Sequence, residues 1–576
     1  MDSLSRMSNV TVPNFFSIVS EYVDHMLPED NAMKVLLVDE VTLNIVSMAC
    51  SQTLLLKKRV FLVCRVDEHR QRRVMKGMHC IVFIRPQPSS VAAVAEELQA
   101  AKYGSYAIHF SNAASPEMLD NLARADVDSL VNRVSEVFCD FEAHNADAFV
   151  SVVSPKALLP AFLSAVAVQR IAESIAATFV AWRRRPYVRF EQNSAFARRV
   201  AVELGDILSK NAELYNYKSK DALLLILDRR SDALTPLLTP WTYQAMLHEH
   251  IGLHHNRLQF SDGAVKEEYV FSQQDDPFFA ANMFANWGEL CGNVKAYVDT
   301  CKATLNIDRS TATMDEIKEF MQKLPQTKSL TGSVTKHATV VSHLSSIIKK
   351  RDLLAISLLE QDMIASTNAN DHWNRLQAFA AKQHSGAVDT RDIFRLCLIY
   401  HLRYEKPNQP SHVAALLDGI EPHLASYLRK LTQYSGERPT DELFGATGVM
   451  ASIVKTFVDA GNIYTQHEPV LKRTLLQLFS GRLSLDQYPY LTPPPTAVAS
   501  SSQSQKQLNV RPKDVTAFMC GGFTYEEAAL VNAINAGTAF AGSAANQLPQ
   551  GGVRASIGGT AVLNSEMFLN LLSNHP

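Results

Sequence analysis

No charge of one sign dominates this chain. Its 56 Lys and Arg are balanced by 58 Asp and Glu over 576 residues, for a net charge of -2. A dedicated nucleic-acid surface needs many uncompensated cations, so none is expected. Long hydrophobic runs are missing too: no stretch approaches the ~18 consecutive apolar residues that a membrane-spanning helix requires. The opening residues, MDSLSRMSNV, hold no charged region followed by an apolar core. No signal peptide is therefore expected, and any membrane is reached only through partners. Cysteine is sparse. The eight, at 50, 64, 80, 139, 291, 301, 397 and 520, form no Cys-x-x-Cys pair. That pattern points to a reducing compartment and no disulfide framework.

Signatures of chemistry are also absent. There is no Gly-x-Ser-x-Gly and no Gly-x-x-x-x-Gly-Lys. The first strand-helix turn, Asp39-Glu40-Val41-Thr42, lacks the glycines that hold a pyrophosphate. His248, His250, His254 and His255 invite a zinc reading. However, His-Glu-His is not His-Glu-x-x-His, and helical spacing sets His248 and His250 on different faces. No catalytic residue, no cofactor and no metal is expected.

What is present is a globular composition, 47% hydrophobic and 20% charged, in a chain long enough for two to four domains. Residues 1–141 alternate helix and strand: a helix at Val12 to Leu27, a strand at Met33 to Val38, a helix at Val41 to Leu56, and strands at Val60 to Val63 and Cys80 to Ile84. A helix at Val91 to Ala101, a strand at Tyr106 to Phe110, and helices at Pro116 to Ala125 and Val127 to Phe138 complete the set. Such alternation implies crossover connections and a parallel sheet. Ala222 to Arg257 is the most informative stretch. The apolar run Leu223 to Leu227 reads as a strand covered on both faces, with Asp228, Arg229, Arg230 and Asp232 at its carboxyl end. These charges form either an acid/base or phosphate site, or a network that staples a loop. Thr235-Pro236 and Thr239-Pro240 are start signals for a helix spanning Trp241 to His250.

From Asp275 to Gln361 the pattern is almost wholly helical, with Val340, Val341, Leu344, Ile347, Ile348, Leu354, Leu358 and Leu359 at three-to-four spacing. Such a stripe packs in a bundle or offers a groove to a partner helix, and the pattern leaves both open. Further helices are expected at Asp389 to Tyr404, His423 to Leu431 and Asp441 to Phe457. Trp182 to Arg189 is a basic cluster, read either as an anion contact or as a solvated turn. The pair His467-Glu468 is weak support for an acid/base couple. Leu491 to Gln507 is a linker, and Gly537 to Arg554 a loose loop. Strands return at Val515 to Cys520 and Ser556 to Val562. The first runs through Gly521-Gly522 into a helix whose first turn carries Glu526-Glu527, complementing the dipole.

The run Leu-Asp-Arg-x-x-Asp-x-x-Thr-Pro-Leu-Leu-x-x-Trp-Thr-Tyr-Gln-Ala-Met-x-His-Glu, with Asp228, Arg229, Asp232, Pro236, Trp241 and Gln244 as its landmarks, closely resembles the Sec/Munc-type (SM) family of syntaxin-binding proteins. It is most similar to the endosomal vacuolar-protein-sorting branch, departing from it at Ser231, where a second Asp is common. Met33 to Asp39, Ile84-Arg85-Pro86, Tyr106 to Asn112, Thr331 to Val341, Asn462 to Pro469 and Tyr488-Pro489-Tyr490 resemble further landmarks of the family.

The resemblance implies an α/β plus all-helical fold: an arch-shaped SM fold with two open parallel-sheet α/β domains and a large helical domain. The first domain is 1–141. The second is discontinuous, 142–250 and 480–576, with Leu223-Leu227 and Val515-Met519 in one sheet. The helical domain is 251–479, with an arch hairpin near 300–365. The implied function is to hold a syntaxin-type SNARE and template SNARE assembly at endosomal or Golgi membranes. An SM protein of another trafficking step and a non-catalytic scaffold of a tether complex are the alternatives. Implied partners are the syntaxin-type SNARE, the assembled SNARE bundle and a Rab-effector adaptor, on a monomeric cytoplasmic protein. Two sites follow from the resemblance: a syntaxin N-peptide pocket lined by Leu119, Leu122, Val131 and Val134, and a SNARE-helix cavity faced by Ser333, Lys336, His337, Val340 and Leu344.

Overall fold

The computed structural model describes residues 14–574 apart from 69–71, 152, 154–163, 216–221, 263–264, 306–313, 384–387, 406–410, 437–442, 445–466, 493–510, 541–543 and 550–551. It divides into two compact units. One is Met1–Arg229, Thr474–Phe523 and Leu530–Val562; the other is Arg230–Arg473, Thr524–Ala529 and Leu563–Pro576.

The first unit begins with α1 (Phe15–Met26), capped by Asn14 and burying Phe15, Phe16, Val19, Val23 and Met26. Strand β1 (Lys34–Val38) is buried throughout, and Asp39 closes it with a capping box to Thr42 that starts α2 (Glu40–Ala49). The single helix expected to Leu56 breaks at Cys50, because the Ser51 side chain accepts from Leu54 N and starts α3 (Gln52–Lys57). Then follow β2 (Val60–Arg65), β3 (Met75–Ile84), α4 (Pro88–Ala100), β4 (Tyr103–Phe110), α5 (Pro116–Ala125) and β5 (Val131–Glu136). The strands pair in parallel in the order β2-β1-β3-β4-β5. Alternation along β1 sends Leu36 and Val38 to one core and Val35 and Leu37 to the other, so the sheet is covered on both faces. The helix expected over Val127 to Phe138 is corrected: that stretch holds edge strand β5.

A second sheet starts with β6 (Glu142–Asn145) and β7 (Ala148–Val150). It continues through α6 (Ala165–Ala181), β8 (Pro186–Phe190), α7 (Ala195–Lys210) and β9 (Ala222–Asp228). β9 is buried along its length and lies parallel to β8 and to the distant strand Asp514–Cys520, with Val515 opposite Leu223 and Cys520 opposite Asp228. Arg554–Gly559 pairs on the far side of Asp514–Cys520 and then meets β7. A Cβ at Gly558 would lie 2.3 Å from the Phe149 ring, so only glycine permits that approach.

The basic cluster resolves into two fates. Arg184 stacks over Trp182 with 5.6 Å to the ring centroid. Arg189 is fully buried: its Nε donates to Tyr488 O at 2.7 Å, and Nη2 to Leu483 O and Ser484 O at 3.1 and 3.0 Å. It also sits 5.0 Å over the Tyr490 ring. Arg189→Lys keeps the charge but loses the planar fork. The expected loss is about 2 kcal/mol in urea unfolding, with at least one carbonyl left bare.

In the second unit, α8 (Tyr243–His250) starts after Trp241, not at it. A three-stranded antiparallel sheet follows: β10 (Leu253–His254), β11 (Arg257–Asp262) and β12 (Val265–Val270). Helices follow: α9 (Pro277–Asn282), α10 (Trp287–Leu305), α11 (Met314–Lys350), α12 (Leu353–Ala365), α13 (Ala369–Gln383), α14 (Thr390–Tyr404), α15 (His412–Ile420) and α16 (Ser426–Ser435). The stripe from Val340 to Leu359 is split between α11 and α12 at Asp352, which takes the left-handed conformation at φ 53°. The expected helix over Asp441 to Phe457 lies outside the described residues apart from Leu443 and Phe444. Asn462 to Gln466 and most of Leu491 to Gln507 lie outside them as well.

Candidate functional site

The first sheet ends in a built cavity. Phe110 closes β4, and the chain turns at Ser111–Ser115 into α5, where Ser115 caps Met118 N and Pro116 takes the first turn. After α5, Asp126 accepts from Leu130 N at 2.8 Å and Val131 N at 3.0 Å, which closes the turn into β5. Glu136, at the other end of β5, accepts from Ala114 N at 2.8 Å. Between α5, β4 and β5 lies an open cavity of about 640 Å³, and its lining includes Leu119, Leu122, Val131 and Val134. The four residues expected to line a peptide pocket thus meet at one concavity. Leu119 is 39% and Val134 47% exposed, whereas Leu122 is 4% exposed and belongs to the core under the sheet. Ile108, Phe110, Ala123 and Ser135 complete the lining with Asp126 and Glu136, and none of these was read as a site residue from sequence. Among the described residues β5 has a neighbour on one side only, which leaves its other edge open to strand addition.

The second set of residues lies on α11. His337, Val340 and Leu344 are fully buried within the second unit, so the expectation that they face a partner is corrected. His337 sits among Tyr243, Phe271 and Phe278. Its Nε2 lies 3.0 Å from the Asp276 carboxylate, leaving Nδ1 to accept from the Tyr243 hydroxyl at 2.9 Å. Burial lowers its pKa, so the ring is neutral near pH 7. Burial also opposes ionisation of Asp276, but the His337 hydrogen bond and the Lys336 ammonium outweigh it and hold the carboxyl well below its usual range. Lys336 Nζ also donates to Val270 O at 2.8 Å. Ser333 and Lys336 border a cavity of about 770 Å³ with Tyr269, Asp275, Tyr297 and Leu330.

The central run is structural. Asp228 accepts from Ser194 Oγ at 2.5 Å, and Arg229 is fully buried. Asp232 accepts from Thr235 N and Oγ1 at 2.9 and 2.6 Å and from Val470 N at 3.2 Å, fastening the short turn that carries Pro236. Trp241 Nε1 donates to Ser357 Oγ at 2.8 Å, and Gln244 N to Met283 O at 2.9 Å. His467 meets the Thr235 hydroxyl at 2.9 Å while Glu468 pairs with Lys472. Among the described residues, no group of three or more His, Cys, Asp or Glu is placed to hold a metal. No helix there is long and apolar enough to cross a membrane.

A Sec1 family model matches residues 34–571. The chain belongs to the Sec1 family. Among its relatives, vacuolar protein sorting-associated protein 45 of Mus musculus is 34% identical over 96% of this chain and 95% of its own length. That of Saccharomyces cerevisiae is 28% identical over 97% and 99%. A solved structure of the SM protein Vps45 in complex with the Qa SNARE Tlg2 superposes with a TM-score of 0.84 at 32% identity, covering 97% of this chain and 98% of that one. The Unc18–syntaxin 1 complex from Monosiga brevicollis, at 18% identity and a TM-score of 0.76, shares the Sec1-family fold.

Proposed function

We propose that this Sec1-family chain binds a syntaxin-type SNARE and regulates vesicle docking and membrane fusion in endosomal trafficking. The supporting observation is the likeness, over nearly the whole chain, to Vps45 captured with a Qa SNARE. The chain acts by binding, not by turnover, and reaches endosomal or Golgi membranes peripherally through its partner. By holding a SNARE in an assembly-ready form it lowers the entropy the partner helices lose on zippering.

The cavity beside β5 supports a first contact with the extended N-terminal segment of the syntaxin. An apolar side chain of that segment fills the space between Leu119 and Val134 while its backbone runs along the free edge. Leu122 is a poor test of this contact, because a charge at a core position unfolds as well as blocks. Leu119→Arg and Val134→Arg change exposed positions. Each is expected to weaken calorimetric binding of a peptide of about ten residues from an endosomal syntaxin by about thirtyfold or more, the loss typical of a disrupted anchor pocket. Melting temperature is expected to stay near that of the parent. Unchanged affinity in both variants removes the pocket assignment. No binding of the parent protein to any syntaxin's cytosolic part removes the functional reading.

A further inference from the structure

The landmarks Arg85, Ser111 and Asn112 sit near the cavity, yet none of them lines it. They converge on one buried carboxylate instead. Asp140, fully buried, accepts from Ser111 Oγ at 3.2 Å and Asn112 Nδ2 at 3.0 Å. Arg85 Nε lies 3.4 Å away, and Arg170 of α6 pairs directly with the same group. Asn112 also donates to Glu173 O of α6 at 3.2 Å, and its Oδ1 accepts from Ala113 N at 2.9 Å. The next amide, Ala114 N, donates to Glu136 of the cavity wall. An unbroken hydrogen-bonded route therefore runs from α6, through Asp140 and Asn112, to the short loop that sets where α5 begins.

We propose that Asn112 is a positioning residue for the peptide cavity: with Asp140 it pins the Ser111–Ser115 loop and thereby fixes the α5 wall against β5. This inference rests on the reading of the cavity as the syntaxin-peptide site. Leu119 and Leu122 lie one and two turns into α5, so slack in the loop moves the groove directly. The groove then has to be ordered at the moment of binding, which reduces affinity without touching any residue that meets the peptide.

The test is calorimetric binding of the ten-residue syntaxin peptide, and of the syntaxin cytosolic part lacking those residues, to the full chain and two variants. Asn112→Ala leaves Asp140 paired to both arginines and is expected to weaken the peptide about tenfold, the scale of one hydrogen bond to a charged group. It is expected to leave the truncated syntaxin unaffected and to speed amide exchange in 113–125 but not in β1 or β3. Asp140→Asn keeps an acceptor for Asn112 but takes the carboxylate from Arg85 and leaves Arg170 only Glu173. It is expected to lower the melting temperature more than Asn112→Ala does, with peptide affinity close to that of the parent. Peptide affinity within twofold of the parent in Asn112→Ala, or an equal loss for the truncated syntaxin, overturns the proposal. Should Asn112→Ala not fold, Asn112→Ser takes its place with the same expectations. A parent protein that binds no peptide condemns the cavity reading and not the positioning role alone.

Discussion

Arg395→Met is expected to destabilise the second unit by about 3–5 kcal/mol, the loss found when one member of a buried charge network is removed. Arg395 on α14 is fully buried among three carboxylates. Nη2 reaches Glu360 Oε1 at 2.5 Å and Nη1 reaches Asp392 Oδ1 at 3.1 Å, with Glu249 4.0 Å away. The guanidinium also donates to Leu237 O at 2.8 Å and Thr239 Oγ1 at 2.7 Å. Asp392 has a second partner in Arg351 at 2.7 and 2.9 Å, and Glu249 is held by Ser565 N at 2.8 Å. Among the described residues Glu360 meets no other cation and keeps the Thr239 amide and hydroxyl, at 2.9 and 3.0 Å. Burial already pushes its pKa up, and removing Arg395 removes the main opposing influence. Arg375→Met is the control, since its pair with Asp362 is solvent-exposed and worth about 0–1 kcal/mol. Adding Glu360→Gln to Arg395→Met is expected to restore part of the loss, because the stranded charge goes with it. Urea unfolding reads all four proteins. A loss under about 1 kcal/mol for Arg395→Met would show that water reaches the network.

That network illustrates what the sequence conceals. Glu249, Glu360 and the Asp392–Arg395 pair of α14 come from three separate parts of the chain, and no local pattern marks them as buried partners. By contrast β9 was legible, because five consecutive apolar residues followed by a charge have few other fates. Its partnership with Asp514–Cys520 came from the family resemblance, not from any periodicity in either strand, and the register bears it out. β5 was misread for a definite reason. Val127, Val131, Val134 and Phe138 recur at four, three and four residues, the spacing of a helix face. Val127 is in fact 81% exposed, and Asp126 and Ser129, the latter at φ 53°, make a turn before the strand begins. The four residues named there still line one cavity, since the resemblance named positions, and positions survive an error in local structure. His337 failed in the other direction. The resemblance set it facing a SNARE-helix cavity, yet Asp276 and Tyr243, distant in sequence, satisfy both ring nitrogens and let the ring be buried.

Asp147→Asn is expected to stabilise the first unit at neutral pH by about 2–3 kcal/mol, the free energy equivalent of the pKa displacement less a small loss in hydrogen bonding. Asp147 lies in the turn between β6 and β7 and is 4% exposed. Among the described residues its carboxylate meets one side-chain donor, Asn535 Nδ2 at 3.0 Å, and no cation. Burial raises its pKa from 3.8 to about 6, with the Asn535 hydrogen bond offsetting only part of the shift. For an acid whose folded pKa is raised, the folded state disfavours the ionised form. The destabilisation therefore begins as pH rises past 3.8 and is complete above about 6. Asparagine carries no charge to desolvate, and its Oδ1 still accepts from Asn535. Asn535 itself is fixed, because it donates to Ala555 O at 2.9 Å and accepts from Ala555 N at 2.8 Å. The variant's advantage should thus be largest at pH 7 and vanish only well below pH 3.8, where the parent carboxyl is protonated in both states. Unfolding midpoints of parent and variant across that range check it. A variant less stable than the parent at pH 7 would mean that the Asp147 charge is favourable in place. The turn would then owe its geometry to an ionised carboxylate held by Asn535, and the same titration would run with the opposite slope.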